Sequence, residues 1–210
     1  MNLKQDEKRI ISRLLRQFIY FGLIFAFIFG IHFLARVYGK STFDENSVVE
    51  NIQLLLLIAS SFSFLWQMER NQNFREVLLL LSSCCLLASC RELDATFDDL
   101  IPILHWKFAF IFPLVALLYA YKNRVGLQQS LFKFFSMPAF DMMYITVILI
   151  VPVAQCIGHG PFVESVLGPK RVGDIKEFYE EAMEVVGYFL IFLSSIEMYF
   201  NLKEENHHAG

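Results

Sequence analysis

The chain of 210 residues is 56% hydrophobic, carries 23 phenylalanines and holds charged residues to 19%, against the ~25% usual in soluble domains. That composition excludes an ordinary water-soluble globule. A net charge of −3, with no phosphate-cradling glycine loop and no nucleophile elbow, gives no reason to expect nucleic acid as a partner.

Apolar runs recur along the whole chain, predicting an all-α membrane protein: a bundle of about six transmembrane helices with an amphipathic N-terminal helix. Residues 1–16 interleave Lys4, Lys8, Arg9, Arg13 and Arg16 with Ile10, Ile11, Leu14 and Leu15, the pattern of a cytoplasmic helix lying on anionic lipid. The transmembrane domain follows over 17–202, with spans at 18–35, 48–66, 74–90, 106–121, 142–157 and 185–202, and 203–210 forms a polar tail. No small-residue cleavage site follows the first apolar run before Arg36, so that run is expected to persist as a span. The short polar stretch Gln67 to Asn73 makes the second and third spans antiparallel neighbours. Pro113 is expected to bend the fourth span, residues 121–133 to form a basic-aromatic interfacial loop, and Pro152 to interrupt the fifth span.

The densest charge lies at Arg91-Glu92-Leu93-Asp94, directly after an almost wholly apolar run. Charges at the end of a lipid-embedded segment are costly unless paired. Partners are available where the second span opens, at Glu50, Asn51 and Gln53, and where the sixth opens, at Glu181 and Glu184. Glu177, Glu181, Glu184 and Tyr188 recur on one helical stripe that runs into the membrane. Antiparallel spans bring Glu50 and Arg91 to one membrane side, and His105 and His159 are accessory candidates there. Each feature also has a plain structural reading. Glu50 can serve as a helix-capping residue near a positive N-terminus, and the whole network can serve to hold helices together.

Four cysteines, Cys84, Cys85, Cys90 and Cys156, lie in or beside apolar runs without Cys-x-x-Cys spacing. They read as packing residues, with a Cys90–Cys156 disulfide left open. Basic residues gather on the side of the termini and acidic residues on the other, which places both termini in the cytoplasm.

At Glu50-Asn51-x-Gln53, Arg91-Glu92-x-Asp94 and Glu180-Glu181-x-x-Glu184, the chain resembles small bacterial multi-pass inner-membrane proteins of unassigned function. The resemblance implies a bacterial inner membrane and supplies no activity. Membrane hydrolases of the ceramidase type differ: they use three histidines around zinc, and no His-x-x-x-His pair occurs in a span here.

Three functions follow as expectations. The first is cation or proton handling at an outward-facing acidic cluster with Arg91 as its counter-charge. The second is a membrane enzyme acting on a lipid or envelope substrate, its carboxylates suited to a divalent cation. The third is a non-catalytic subunit or sensor. Membrane lipid is the expected partner in all three, and a second copy or another membrane protein in the last.

Overall fold

Every described element of the computed structural model is helical, and the described residues are 3–43, 47–93, 106–154, 156, 161, 164–165 and 172–209. Seven α-helices are present among them: α1 Leu3–Tyr38, α2 Val48–Arg70, α3 Arg75–Glu92, α4 Ile111–Lys122, α5 Arg124–Phe135, α6 Pro138–Ile148 and α7 Val172–Ala209. A 3-10 turn, Trp106–Phe110, leads into α4, and a π-helical stretch, Leu149–Ala154, continues α6. Among the described residues four helical segments are long and apolar enough to cross a membrane, Ile10–Tyr38, Val48–Arg70, Gln72–Glu92 and Phe178–Glu205, and the bent pair Trp106–Lys122 with Arg124–Phe135 makes a fifth if counted as one span. The chain divides into two units, Met1–Thr42 and Phe43–Gly210.

In the first unit, the amphipathic segment and the first predicted span form one uninterrupted helix. No proline or glycine lies between Leu3 and Gly22 to break it. Ile19, Leu23, Phe25 and Ile28 lie on different faces of the helix and are all exposed, so the span portion of α1 is apolar around its circumference. It ends at Gly39, whose φ of 63° is the left-handed conformation that glycine adopts without strain. The hydroxyls of Ser41 and Thr42 donate to the Tyr38 and Gly39 carbonyls, each at 2.8 Å, which satisfies part of the open helix end.

In the second unit, side-chain contacts fix the direction of each helix. The α2–α3 turn at Asn71–Phe74 makes a hairpin, held midway by Ser61 and Ser82, whose hydroxyls are 2.8 Å apart. Helix α7 runs parallel to α2: Gln53 meets Glu181 and Gln67 meets Ser195, both pairs separated by 128 residues. Helix α6 runs antiparallel to α7, since the Ser194 hydroxyl donates to the Ala139 carbonyl at 2.7 Å while Gly187 lies against Ile150 and Thr146. Helix α4 runs antiparallel to α3, with the Arg75 guanidinium 5.5 Å from the centre of the Tyr119 ring.

Two local expectations need correction. Pro113 does not bend its helix, because it sits in the first turn of α4, where a missing N–H breaks no helical bond. The bend occurs instead at Asn123, where α4 and α5 meet at 107°. Residues 121–133, expected as a loop, are helical apart from Asn123: in α5 Ser130 and Phe134 turn inward and Phe132 and Phe135 outward, an amphipathic pattern hidden by the basic-aromatic composition. Pro152 does interrupt the regular helix, and the wider π-helical turn around it accommodates its missing donor. Helix α7 begins ahead of the predicted span and carries its acidic residues on regular backbone.

The unit inverts the soluble pattern at its surface: large apolar side chains face outward, and polar groups are buried beside the apolar core. Gln53, Ser60, Gln67, Glu184 and Ser195 are buried, while Leu55, Phe62, Phe112, Leu117 and Val151 are exposed. That inversion is what an apolar solvent favours, since backbone and side-chain dipoles then find partners only within protein. The apolar core, built on Phe64, Phe74, Val77, Leu78, Phe134, Met198 and Leu202, lies at the closed end of the α2–α3 hairpin. Buried carboxylates lie at both ends, Glu76 and Glu197 at the closed end and Glu92 and Glu184 at the open one.

Candidate functional site

The open end is formed by the start of α2, the end of α3 and the second turn onward of α7. Ser47 starts α2 as its N-cap, its hydroxyl accepting the Glu50 backbone N–H at 3.3 Å. Ser47-Val48-Val49-Glu50 thus has the Ser-x-x-Glu spacing of a capping box, a start signal for the helix that supplies Gln53. Helix α3 stops at Leu93, leaving Arg91 and Glu92 in its last turn, where a cation complements the helix dipole.

Arg91 is the hub. Its Nη2 donates to Glu184 Oε2 at 2.5 Å, to Glu92 Oε1 at 3.0 Å and to the Tyr188 hydroxyl at 3.2 Å, while Nε donates to Glu92 Oε1 at 3.2 Å. Tyr188 in turn donates to Glu92 Oε1 at 2.8 Å, so its one hydroxyl accepts from Arg91 and donates to the carboxylate. Glu92, Glu184 and Tyr188 are buried, whereas 39% of the Arg91 side chain is exposed. The hub therefore has a dry side against α7 and a wet side at the mouth. The i, i+3, i+7 spacing of Glu181, Glu184 and Tyr188 puts all three toward α2 and α3, as the stripe in the sequence suggests.

Gln53 belongs to the same cluster through another partner. Its Nε2 donates to Glu181 Oε2 at 2.8 Å and to the Glu181 carbonyl at 3.4 Å. The amide is wholly buried, and its Oε1 accepts no hydrogen bond from any described group. The charges of Glu50, Glu92 and Glu184 all act on Glu181. Among the described residues Arg91 thus pairs directly with Glu92 and Glu184, while Glu181, Glu180 and Glu50 stand close enough to these carboxylates or to one another to repel.

Of the candidates read from the sequence, Gln53, Arg91, Glu92, Glu181, Glu184 and Tyr188 are joined, and Glu50 stands within electrostatic reach. Asn51 is not part of the cluster: it is exposed and its amide donates to the Ser47 carbonyl at 2.8 Å, one turn back on its own helix. Asp94, His105 and His159 lie outside the described residues. Among the described residues no group of three His, Cys, Asp or Glu side chains is placed to hold a metal ion. Cys90 and Cys156 are free thiols.

One element was not singled out as a site in the sequence. The Gln67 amide is also wholly buried, donating to the Ser195 carbonyl at 2.9 Å and to the Ser63 hydroxyl at 3.0 Å, with Oε1 unpartnered among the described groups. The signal was present as the seven-residue spacing of Gln53, Ser60 and Gln67. Comparison with protein-family models, with curated proteins and with solved structures finds nothing that matches this chain.

Proposed function

We propose that the protein is a multi-pass protein of a bacterial inner membrane that handles cations or protons through an outward-facing cluster of Glu50, Gln53, Arg91, Glu92, Glu181, Glu184 and Tyr188. The observation that carries this reading is the excess of carboxyl groups over arginine at the open end: Glu92 and Glu184 are buried against Arg91, and Glu181, Glu180 and Glu50 stand close by. In a low-dielectric bundle such an excess needs a compensating positive charge, and exchangeable protons or cations provide one. A network built only for cohesion would reach neutrality with fewer carboxylates.

A six-span arrangement is part of the proposal. Helix directions alternate from α2 through α3, α4, α6 and α7 apart from the transverse α5, as six crossings require. Trp106–Lys122 has a length of about 28 Å at 3-10 and α-helical rise, close to a hydrocarbon core of ~30 Å. Helix α5, with Val125, Phe132 and Phe135 exposed beside Lys133, suits the interface. The basic residues on the side of the termini and the resemblance at the three acidic motifs support cytoplasmic termini in a bacterial inner membrane. A reporter active only in the periplasm is expected to stay silent at the C-terminus; activity there refutes this orientation.

The purified protein in proteoliposomes is expected to carry a proton or monovalent-cation flux. Glu181→Gln preserves an acceptor for Gln53 while removing a charge, and should lower that flux by about tenfold or more, the loss expected of an interaction made in the rate-limiting step. Wild-type flux in Glu181→Gln would sink the reading.

A further inference from the structure

Helix α2 carries Gln53, Ser60 and Gln67 at seven-residue intervals, all fully buried. Opposite them α7 carries Glu181, Tyr188 and Ser195 at the same interval, and the constant separation of 128 residues holds the two rows in parallel register. The result is a polar seam inside a coiled-coil-like contact, with Leu57 and Phe64 interleaved and no exposed surface on either. From Gln53 to Gln67 it extends about 21 Å at helical rise, most of a hydrocarbon core of ~30 Å.

Both ends of the seam have the same orphan. Gln53 Oε1 and Gln67 Oε1 accept nothing from any described group. Their amide orientation is fixed, because Nε2 donates in one case to a carboxylate and carbonyl of Glu181 and in the other to the Ser195 carbonyl. Turning either amide over would set oxygen against oxygen. A buried carbonyl oxygen without a donor is strongly disfavoured, and the lipid offers none. One buried water at each place would supply the missing donor.

We propose that the species passed on from the cluster is the proton, and that it moves along the α2–α7 seam on water held by Gln53 Oε1 and Gln67 Oε1. This rests on the cation-handling reading of the outer cluster and specifies its substrate and route. A metal ion needs several oxygen ligands at each stage of transit, and between Gln53 and Gln67 the seam sets only a few hydroxyls, such as Ser60 and Tyr188, beside the apolar Leu57 and Phe64. A proton needs only a file of hydrogen-bonding groups. The proton enters at the carboxylates, passes Gln53 and the level of Ser60 and Tyr188, and reaches the water at Gln67. No bond other than O–H bonds is made or broken, and each acceptor that gains a proton gives one up.

The test uses the full chain in proteoliposomes, with a pH-sensitive dye for protons and separate measurement of sodium and potassium flux. Gln67→Leu removes the inner acceptor at a distance from Arg91, and proton flux is expected to fall by about tenfold. Wild-type protein exposed to radiolytic hydroxyl labelling is also expected to be oxidised at Phe64, which only water within the seam can reach. Normal proton flux in Gln67→Leu overturns the route while leaving cation handling by the cluster standing. Sodium or potassium flux without proton flux overturns the choice of proton, again without touching the broader reading. Absence of any flux defeats both. Unlabelled Phe64 in the wild type overturns the hydrated seam whatever the Gln67→Leu variant does.

Discussion

Arg91→Leu is expected to destabilise the detergent-purified protein by about 2–3 kcal/mol, lowering the apparent Tm by roughly 4–12 °C. The substitution removes four hydrogen bonds at once and leaves the buried carboxylates of Glu92 and Glu184 without their cation. Breaking a fully buried pair costs ~3–5 kcal/mol, and the exposure of part of the arginine discounts that figure. The informative measurement is the double variant Arg91→Met/Glu184→Met. With the unpaired Glu184 carboxylate gone, and Glu92 still bonded to Tyr188, at least half of the lost stability should return. Additive losses would show that Arg91 and Glu184 are not coupled.

Gly187→Leu should cost a similar amount, for a steric reason. A Cβ at Gly187 would overlap Cγ1 and Cδ1 of Ile150, at the point where α7 crosses the π-helical continuation of α6. Gly187→Ala is tolerable if the end of the Ile150 side chain swings aside. Leucine adds three further carbons and forces the helices apart, an overpacking penalty of about 1–3 kcal/mol. Monodispersity and apparent Tm should therefore fall for leucine and hardly change for alanine. Equal behaviour of the two variants would place the close approach elsewhere. Trimming the obstruction with Ile150→Ala should partly rescue Gly187→Leu, which general damage to α7 would not allow.

The parts of this architecture legible in the sequence are those written at helical spacing. The hairpin at Asn71–Phe74, the stripe of Glu181, Glu184 and Tyr188, and the attraction of these residues to Arg91 all follow from periodicity and charge cost. Asn51 and α5 were misread for local reasons. A short amide at the first turn of a helix can reach back to its own backbone, and basic residues among phenylalanines look alike in a loop and in an interfacial helix. The pairing of Gln53 with Glu181, and of Gln67 with Ser195, was beyond the sequence because it depends on the register of two helices far apart in the chain. No local pattern specifies that register. The lone amide oxygens follow from the pairing and were invisible for the same cause.

The separation of 128 residues between the partners of the α2–α7 seam also bears on biogenesis. At ~5–20 residues per second, the ribosome finishes the matching turn of α7 roughly 6–25 s after that of α2. During that interval α2 carries two amide side chains meant for burial, and α3 offers it the Ser61–Ser82 contact but neither of the α7 partners. In a bilayer those amides have no water to turn to. Late completion of the bundle thus leaves an early helix without its polar partners until α7 is made.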